Sequence, residues 1–272
     1  MNITASLVIY NNKKKMIDRV VNSFFSINQN LLLYIIDHSK NDAAQNWYTD
    51  NRIIYIFEKN SGYGAGHNSA LRLSANNSDY HIILNPDVYF PKPTIDSLVL
   101  FMEENEDVGL VMPKILYPNG RLQYLCKLLP TPWDWFVRRF FKFLPKNRFE
   151  LQESGYNSLI EVPYLSGCFM FFRVSSLKIV GGFDEKYFLH CEDTDISRRM
   201  NIQFKTVYYP FAHVFHEHQK ESHKSLRMLL IHISSTIYYF NKWGWFFDKE
   251  RKKINKQTLN QIRINVESSL KR

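Results

Sequence analysis

The order of apolar and polar positions divides the chain into short buried runs and amphipathic stretches. Residues 3–10 form an apolar run of strand length that ends at Asn11-Asn12. In residues 13–27, Ile17, Val20, Val21, Phe24 and Phe25 recur at helical spacing. Two more strand-like runs, 31–36 and 53–57, end at Asp37-His38-Ser39 and near Glu58. Residues 68–75 predict a helix, and His81-Ile82-Ile83-Leu84 is an apolar run that stops at Asn85-Pro86-Asp87. Strands and helices at these intervals predict an α/β fold: a doubly wound, mostly parallel sheet flanked by helices. Further on, the pattern predicts a helix over 94–104, a strand over 108–112 and a hairpin turn at Pro118-Asn119-Gly120. It then predicts one strand over 162–173, a tight turn at Gly181-Gly182-Phe183-Asp184-Glu185 and a helix starting at Glu192. A late strand over 204–209 and a largely apolar helix over 226–240 follow. Residues 249–272 read as a polar, basic helix with little to anchor it.

In such a sheet, ligands lie beyond the carboxyl ends of the parallel strands. Asp87 stands at that rim behind the fixed φ of Pro86, a place suited to a divalent cation carrying phosphate oxygens. Asn-Pro-Asp is also a common turn. After the third strand comes Asn60-Ser61-Gly62-Tyr63-Gly64-Ala65-Gly66-His67-Asn68. Its glycines, Gly62, Gly64 and Gly66, permit positive φ and close approach of backbone to ligand. The helix that follows offers free N–H groups to an anion. The segment follows the third strand and not the first, which excludes a Rossmann dehydrogenase. Glu192, Asp193 and Asp195 crowd a predicted helix start, where the helix dipole favours acids, and Asp195 can pair with Arg198 or Arg199. A carboxylate fixed at that rim can also take a proton from an attacking hydroxyl. His213, His216 and His218 have no cysteine pair beside them, which argues against structural zinc. One imidazole could instead join a carboxylate and phosphate oxygens around Mn²⁺ or Mg²⁺. His218 and His223 read as loop histidines.

With 272 residues, 45% of them hydrophobic, the chain can bury one large core. The expected organisation is a catalytic-size domain over 1–240 and a basic helical tail over 241–272. A net charge of +9 implies an anionic partner. Three cysteines without paired spacing favour a reducing compartment. Residues 130–148 stand apart as a basic, aromatic insert. If 132–144 is helical, Trp133, Phe136, Val137, Phe140, Phe141 and Leu144 share one face, and Arg138, Arg139, Lys142 and Lys146 the other. Thr131 before Pro132, with Asp134 following, is a sound helix start. Such a helix suits an anionic membrane surface. The chain shows no basic leader and no membrane span, so the expectation is a cytoplasmic protein, peripheral on the inner face of the plasma membrane.

The ordered set Val8-Ile9-Tyr10-Asn11, Asp37-His38-Ser39, Asn60 to Asn68, Asn85-Pro86-Asp87, Gly181 to Glu185, Glu192-Asp193-x-Asp195-x-x-x-Arg199 and His216 resembles glycosyltransferase family 2, in its bacterial rhamnosyltransferase-like branch. The resemblance covers roughly residues 3–240. It implies a GT-A fold and inverting transfer of a sugar, rhamnose from dTDP-rhamnose in that branch, to a hydroxyl of a lipid-linked saccharide in surface polysaccharide synthesis. By the same resemblance, Asp37, with Tyr10, Asn11 and Ser39 near it, meets the nucleoside. Gly62, Gly64, Gly66 and Asn68 line the nucleotide pocket, and Asp87 and His216 hold Mn²⁺ or Mg²⁺. Asn85 replaces the first acid of the family's Asp-x-Asp. Asp193 is the base, with Glu192 as its neighbour. Other readings are a family 2 transferase using a UDP-hexose, a nucleotidyltransferase and a basic nucleic-acid binder. Asn11-Asn12-Lys13-Lys14-Lys15 lacks the glycine loop a nucleotidyltransferase needs. Acids at strand ends have no use in a nucleic-acid binder, so nucleic acid is not an expected partner.

Overall fold

The computed structural model of the chain describes residues 1–26, 30–140, 148–217 and 226–270, with side chains undescribed for 137–140 and 269–270. Burial follows the apolar runs. Strands β1 (Asn2–Ile9), β2 (Asn30–Asp37), β3 (Ile53–Phe57) and β4 (Tyr80–Leu84) pair in parallel in the order β3-β2-β1-β4. Every residue of β4 is buried, as a central strand between two helical layers requires. Helix α1 (Lys14–Phe25) buries Ile17, Val20, Val21 and Phe24, the face its periodicity predicts.

Past β4 the sheet becomes mixed. Strand β10 (Phe169–Arg173) lies antiparallel between β4 and β6 (Val108–Leu116). The single strand expected over 162–173 is three pieces: β8 (Ile160–Glu161), β9 (Tyr164–Leu165) and β10. The chain breaks at Ser166-Gly167-Cys168, where a Cβ on Gly167 would stand 3.2 Å from the Cβ of Asp193. Strand β11 (Lys205–His216) runs parallel to β6 with a register shift between Tyr209 and His213, and reaches seven residues beyond the expected end. Its last two residues pair antiparallel with β5 (Val88–Tyr89). His213 and His216 are therefore strand residues, while His218 and His223 lie outside the described residues. A separate ribbon joins β7 (Cys126–Lys127) to β9.

Helix α2 (Tyr63–Ser74) begins five residues earlier than expected, and α3 (Pro93–Glu104) lies where its periodicity puts it. Under α2, the Ser6 hydroxyl sits 2.7 Å from His67 Nδ1 and 2.9 Å from His81 Nε2, a polar pocket inside the sheet–helix interface. Helix α4 (Pro132–Phe140) starts on a reciprocal cap: the Thr131 N–H and hydroxyl donate to Asp134, and the Asp134 N–H donates to Thr131 Oγ1. The basic face expected from Arg138 to Lys146 lies outside the described side chains. Helix α5 (Val174–Val180) was not legible in the pattern; α6 (Glu192–Gln203) and α7 (Leu226–Trp243) were.

The tail is the main correction. Helix α8 (Lys249–Leu270) buries Arg251, Ile254, Thr258 and Ile262 against the body. Asn255 exchanges two hydrogen bonds with the backbone of Leu129, and the Glu161 N–H donates to Gln261. Arg198 of α6 makes a bidentate, buried pair with Asp248 at 2.6 and 2.8 Å. An enclosed Arg–carboxylate fork fixes geometry more firmly than surface charges do. Among the described residues, no helix is long and apolar enough to cross a membrane.

Candidate active site

The carboxyl ends of β1, β2 and β3 open onto a cleft of about 560 Å³, lined among others by Tyr10, Ser39, Glu58, Phe188 and Arg227. Lys40 and Lys59 also face it, so its wall combines aromatic rings with cations. Its floor is built by hydrogen bonds between loops. Asn11, at φ 54°, donates its N–H to Ser39 Oγ at 2.8 Å. Asp37 lies behind that floor, 1% exposed, with its oxygens accepting from the Ser39 N–H and the Tyr55 hydroxyl, both at 2.8 Å. Tyr10 and Ser39 therefore face the cleft, whereas Asp37 shapes the loop that carries them.

The glycine segment serves packing more than ligand contact. Only Gly62 has positive φ, at 110°, and a Cβ there would come within 2.4 Å of the Phe188 carbonyl oxygen. Gly64 and Gly66 lie inside α2, where a Cβ would meet Phe183 at 2.8 Å and His38 at 2.7 Å respectively. They let the helix sit tightly on its neighbours, which outweighs their poor helix propensity. Asn68 points away from the cleft: its side chain accepts from the Phe183 N–H and donates to the Phe183 carbonyl and to Glu185. It clamps the Gly181 to Glu185 turn, which in turn aims α6.

Tyr63, given no role of its own in the sequence reading, joins the two acidic regions. Its hydroxyl lies 2.9 Å from Asn85 Oδ1 and 2.7 Å from the Gly167 carbonyl. The Gly167 N–H donates to Asp193 Oδ2 at 3.1 Å, and the Asn85 N–H to the Cys168 carbonyl. Asn85, Tyr63, Gly167 and Asp193 thus form one chain of contacts from the end of β4 to the start of α6. Burial, then the charges of Glu192, Cys168, Asp193 and Asp87, push the Tyr63 phenol well above its usual range. Burial likewise pushes the Cys168 thiol up to about 12, helped by Asp87 and Asp193. Both carboxylates therefore act on the same ground. In the sequence Tyr63 lies ahead of the expected helix, so its place in the first turn of α2 was not legible there.

Asp193 is half-buried, and its Oδ1 accepts from the Thr194 N–H at 2.7 Å. Adjacent Glu192 is a different group. It is buried, its Oε2 has no hydrogen-bond partner, and burial followed by the charge of Asp193 lifts its carboxyl well above the usual range. Burial thus disfavours the charged form of Glu192, whereas Asp193 is partly open and hydrogen-bonded through both oxygens. Asp195 is structural: it is wholly buried and held by Arg199, Lys242 and the Trp243 indole.

Across the site, His216 Nε2 stands 3.4 Å from Asp87 Oδ1. The β5–β11 pairing sets this approach, with His216 opposite Val88 and the Glu217 N–H donating to the Asp87 carbonyl. Among the described residues, no three acids, histidines or cysteines cluster as a metal cage. One carboxylate and one imidazole nitrogen fit a cation that arrives with phosphate oxygens and keeps water for its other positions.

The mixed, mostly parallel sheet flanked by helices is the GT-A fold of glycosyltransferases. The chain aligns with a structure of GalNAc-T7 with UDP, GalNAc and Mn²⁺ at a TM-score of 0.67, 13% identity, covering 91% of this chain and 49% of that one. It aligns with the mannosyltransferase PcManGT of Pyrobaculum calidifontis, in complex with GDP-Man and Mn²⁺, at 0.57 and 15% identity, covering 98% and 74%. The family model "Glycosyl transferase family 2" matches residues 6–180, and the chain belongs to that family. Over 202 residues it is 28% identical to the N-acetylglucosaminyl-diphospho-decaprenol L-rhamnosyltransferase of Mycobacterium tuberculosis, covering 71% of this chain and 66% of that protein's length. Over 188 residues it is 27% identical to the rhamnosyltransferase WbbL of Escherichia coli K12, covering 65% of this chain and 70% of that one.

Proposed function

We propose that this chain transfers a sugar, with inversion, from a nucleoside diphosphate donor to a hydroxyl of a lipid-linked saccharide in surface polysaccharide synthesis. Rhamnose from dTDP-rhamnose is the donor we favour, because both named bacterial relatives are rhamnosyltransferases. The observation that carries the reading is the contact chain from Asn85 through Tyr63 and Gly167 to Asp193, which supports a shared site with Asp87, two residues after Asn85, and its neighbour His216. In this reading the nucleoside occupies the cleft beside Tyr10 and Ser39, and Lys40, Lys59 and Arg227 face its charge. Asp87 and His216 hold Mn²⁺ or Mg²⁺, which when bound offsets the charge growing on the leaving diphosphate. Asp193 takes the proton from the acceptor hydroxyl as that oxygen attacks the anomeric carbon on the face opposite the diphosphate.

A lipid-linked acceptor confines the reaction to a membrane face. A basic, apolar corner supports contact with an anionic bilayer there. Phe246 and Phe247, between α7 and α8, are 69% and 96% exposed, and Lys249, Lys252 and Lys253 follow them in exposed positions. Arg251 donates to the carbonyls of Pro130 and Trp245, tying this corner to the base of α4, whose Trp133 is 68% exposed. Aromatic side chains beside lysines suit an interface with anionic head groups. The test of the function is transfer by purified protein from dTDP-rhamnose to a polyprenyl-diphosphate saccharide, with UDP-hexoses run in parallel. Turnover with a UDP-hexose alone would replace the donor. No turnover and no donor binding, with or without Mn²⁺, would refute the transferase reading.

A further inference from the structure

The structure assigns Gln123 as the residue that sets the tautomer of His216 and turns its Nε2 lone pair toward Asp87; this inference rests on the metal-holding role proposed for that pair. Gln123 follows the Pro118-Asn119-Gly120 hairpin. The Tyr117 N–H donates to the Arg121 carbonyl at 2.7 Å, and Leu116 bridges Leu122. The turn folds Gln123 back under the end of β11, where it is 4% exposed.

The hydrogen-bond partners of its amide leave one arrangement. Gln123 Nε2 lies 2.6 Å from the His216 carbonyl oxygen and 3.3 Å from the Leu116 carbonyl oxygen. Both are acceptors only, so the NH₂ end of the amide must face them. That leaves Gln123 Oε1 against His216 Nδ1 at 2.9 Å. A carbonyl oxygen cannot donate, so Nδ1 carries the hydrogen. In the neutral ring, the acceptor nitrogen is then Nε2, which stands 3.4 Å from Asp87 Oδ1. In that tautomer the Nε2 lone pair and Asp87 Oδ1 are close enough to share a cation. The same glutamine also holds the His216 backbone, so ring and main chain are fixed by one side chain. A hydrogen-bond acceptor behind a ligating histidine usually changes metal affinity 10–100-fold on removal. Gln123 is thus a positioning residue, acting through His216.

Two variants separate this role from simple packing. Gln123→Met keeps the volume and loses both acceptor and donor. Gln123→Glu keeps an acceptor for Nδ1 and loses the donors to the two carbonyls. Mn²⁺ is titrated in the presence of saturating dTDP, and the free ion is followed by its electron paramagnetic resonance signal. Gln123→Met should weaken Mn²⁺ binding by about 10–100-fold, and Gln123→Glu should stay within about threefold of wild type. Equal weakening in both variants would make Gln123 a scaffold for the carbonyls, and no weakening in Gln123→Met would also overturn the assignment. Imidazole ¹H–¹⁵N correlation spectra give a readout without metal. The wild type should show His216 with hydrogen on Nδ1, as should Gln123→Glu, whereas Gln123→Met should lose that preference. A wild-type ring with hydrogen on Nε2 alone refutes the inference. The expected tautomer without any Mn²⁺ affinity would leave the positioning intact and refute the metal role of Asp87 and His216.

Discussion

Replacing Asp193 by asparagine changes one oxygen to an NH₂ group and tests the base directly. Asp193 Oδ1 accepts from the Thr194 N–H at 2.7 Å, and Oδ2 from the Gly167 N–H at 3.1 Å and the Tyr164 hydroxyl at 3.4 Å. The amide oxygen keeps the shorter bond, so the NH₂ end faces the Gly167 N–H and that bond is lost. A hydrogen bond to a charged group contributes about 1.5–3 kcal/mol, and the Tyr164 hydroxyl can rotate to accept and offset part of it. The native state survives such a loss, since domains of this kind hold about 5–15 kcal/mol. Catalysis does not. Losing a positioned general base costs about 10²–10⁴-fold, or roughly 3–5 kcal/mol of barrier. Initial rates of transfer are measured at saturating donor and acceptor, and donor affinity by calorimetry with Mn²⁺. The expected result is a kcat lowered by at least about a hundredfold with donor Kd unchanged within about threefold. A kcat within about tenfold of wild type, or a donor Kd that rises in step with the rate loss, refutes the assignment.

Three further outcomes follow from the fold. Burial holds His67 and His81 neutral, lowering His81 to about 3 and His67 well below its usual value. The unfolded chain binds those protons near pH 6.5 and the native state does not, so stability falls as pH drops below about 6.5. At pH 5 the loss is about 2 kcal/mol for His81, with His67 acting in the same direction, and a urea midpoint unchanged between pH 7 and 5 would refute it. Asp248→Ala strands the Arg198 guanidinium in the interior and should cost about 3–5 kcal/mol, read from urea unfolding; a loss under about 1 kcal/mol would mean the pair does not fasten α8. Replacing both Phe246 and Phe247 by serine should weaken binding to phosphatidylglycerol vesicles at least about tenfold, from roughly 1.5–3 kcal/mol for each buried ring. Undiminished sedimentation with those vesicles would move the membrane contact elsewhere.

What the sequence disclosed depended on how local the cause was. The stop at Asn85-Pro86-Asp87 was legible because a buried strand and a proline act within a few residues. The start of α2 was misplaced because Gly64 and Gly66 argue locally against a helix, and the contacts that overrule them, with Phe183 and His38, are distant in sequence. The mixed direction of β10 leaves no trace in periodicity, since parallel and antiparallel buried strands read alike. The anchoring of α8 did leave one. Arg251, Ile254, Asn255, Thr258, Gln261 and Ile262 recur at helical spacing, but a stripe that mixes polar with apolar groups is invisible to hydrophobicity alone. Gln123 gave no signal at all, because its role exists only once the hairpin places it beside β11. Glu192 and Asp193 look equivalent in sequence, and only their burial separates them.

The insertion of β10 between β4 and β6 bears on how the chain is made. When β6 has left the ribosome at residue 116, the strand that fills the centre of the sheet ends 57 residues later, at Arg173. At about 5–20 residues per second, the facing edges of β4 and β6 stay open for roughly 3–11 s. The second neighbour of β6, β11, emerges later still, and with it His216. A fragment cut at residue 180, where the family match ends, would contain β10 but lack Asp193, His216 and the flank of β6. Such a fragment should aggregate rather than fold, because the sheet can close only once β11 has been made and laid against β6.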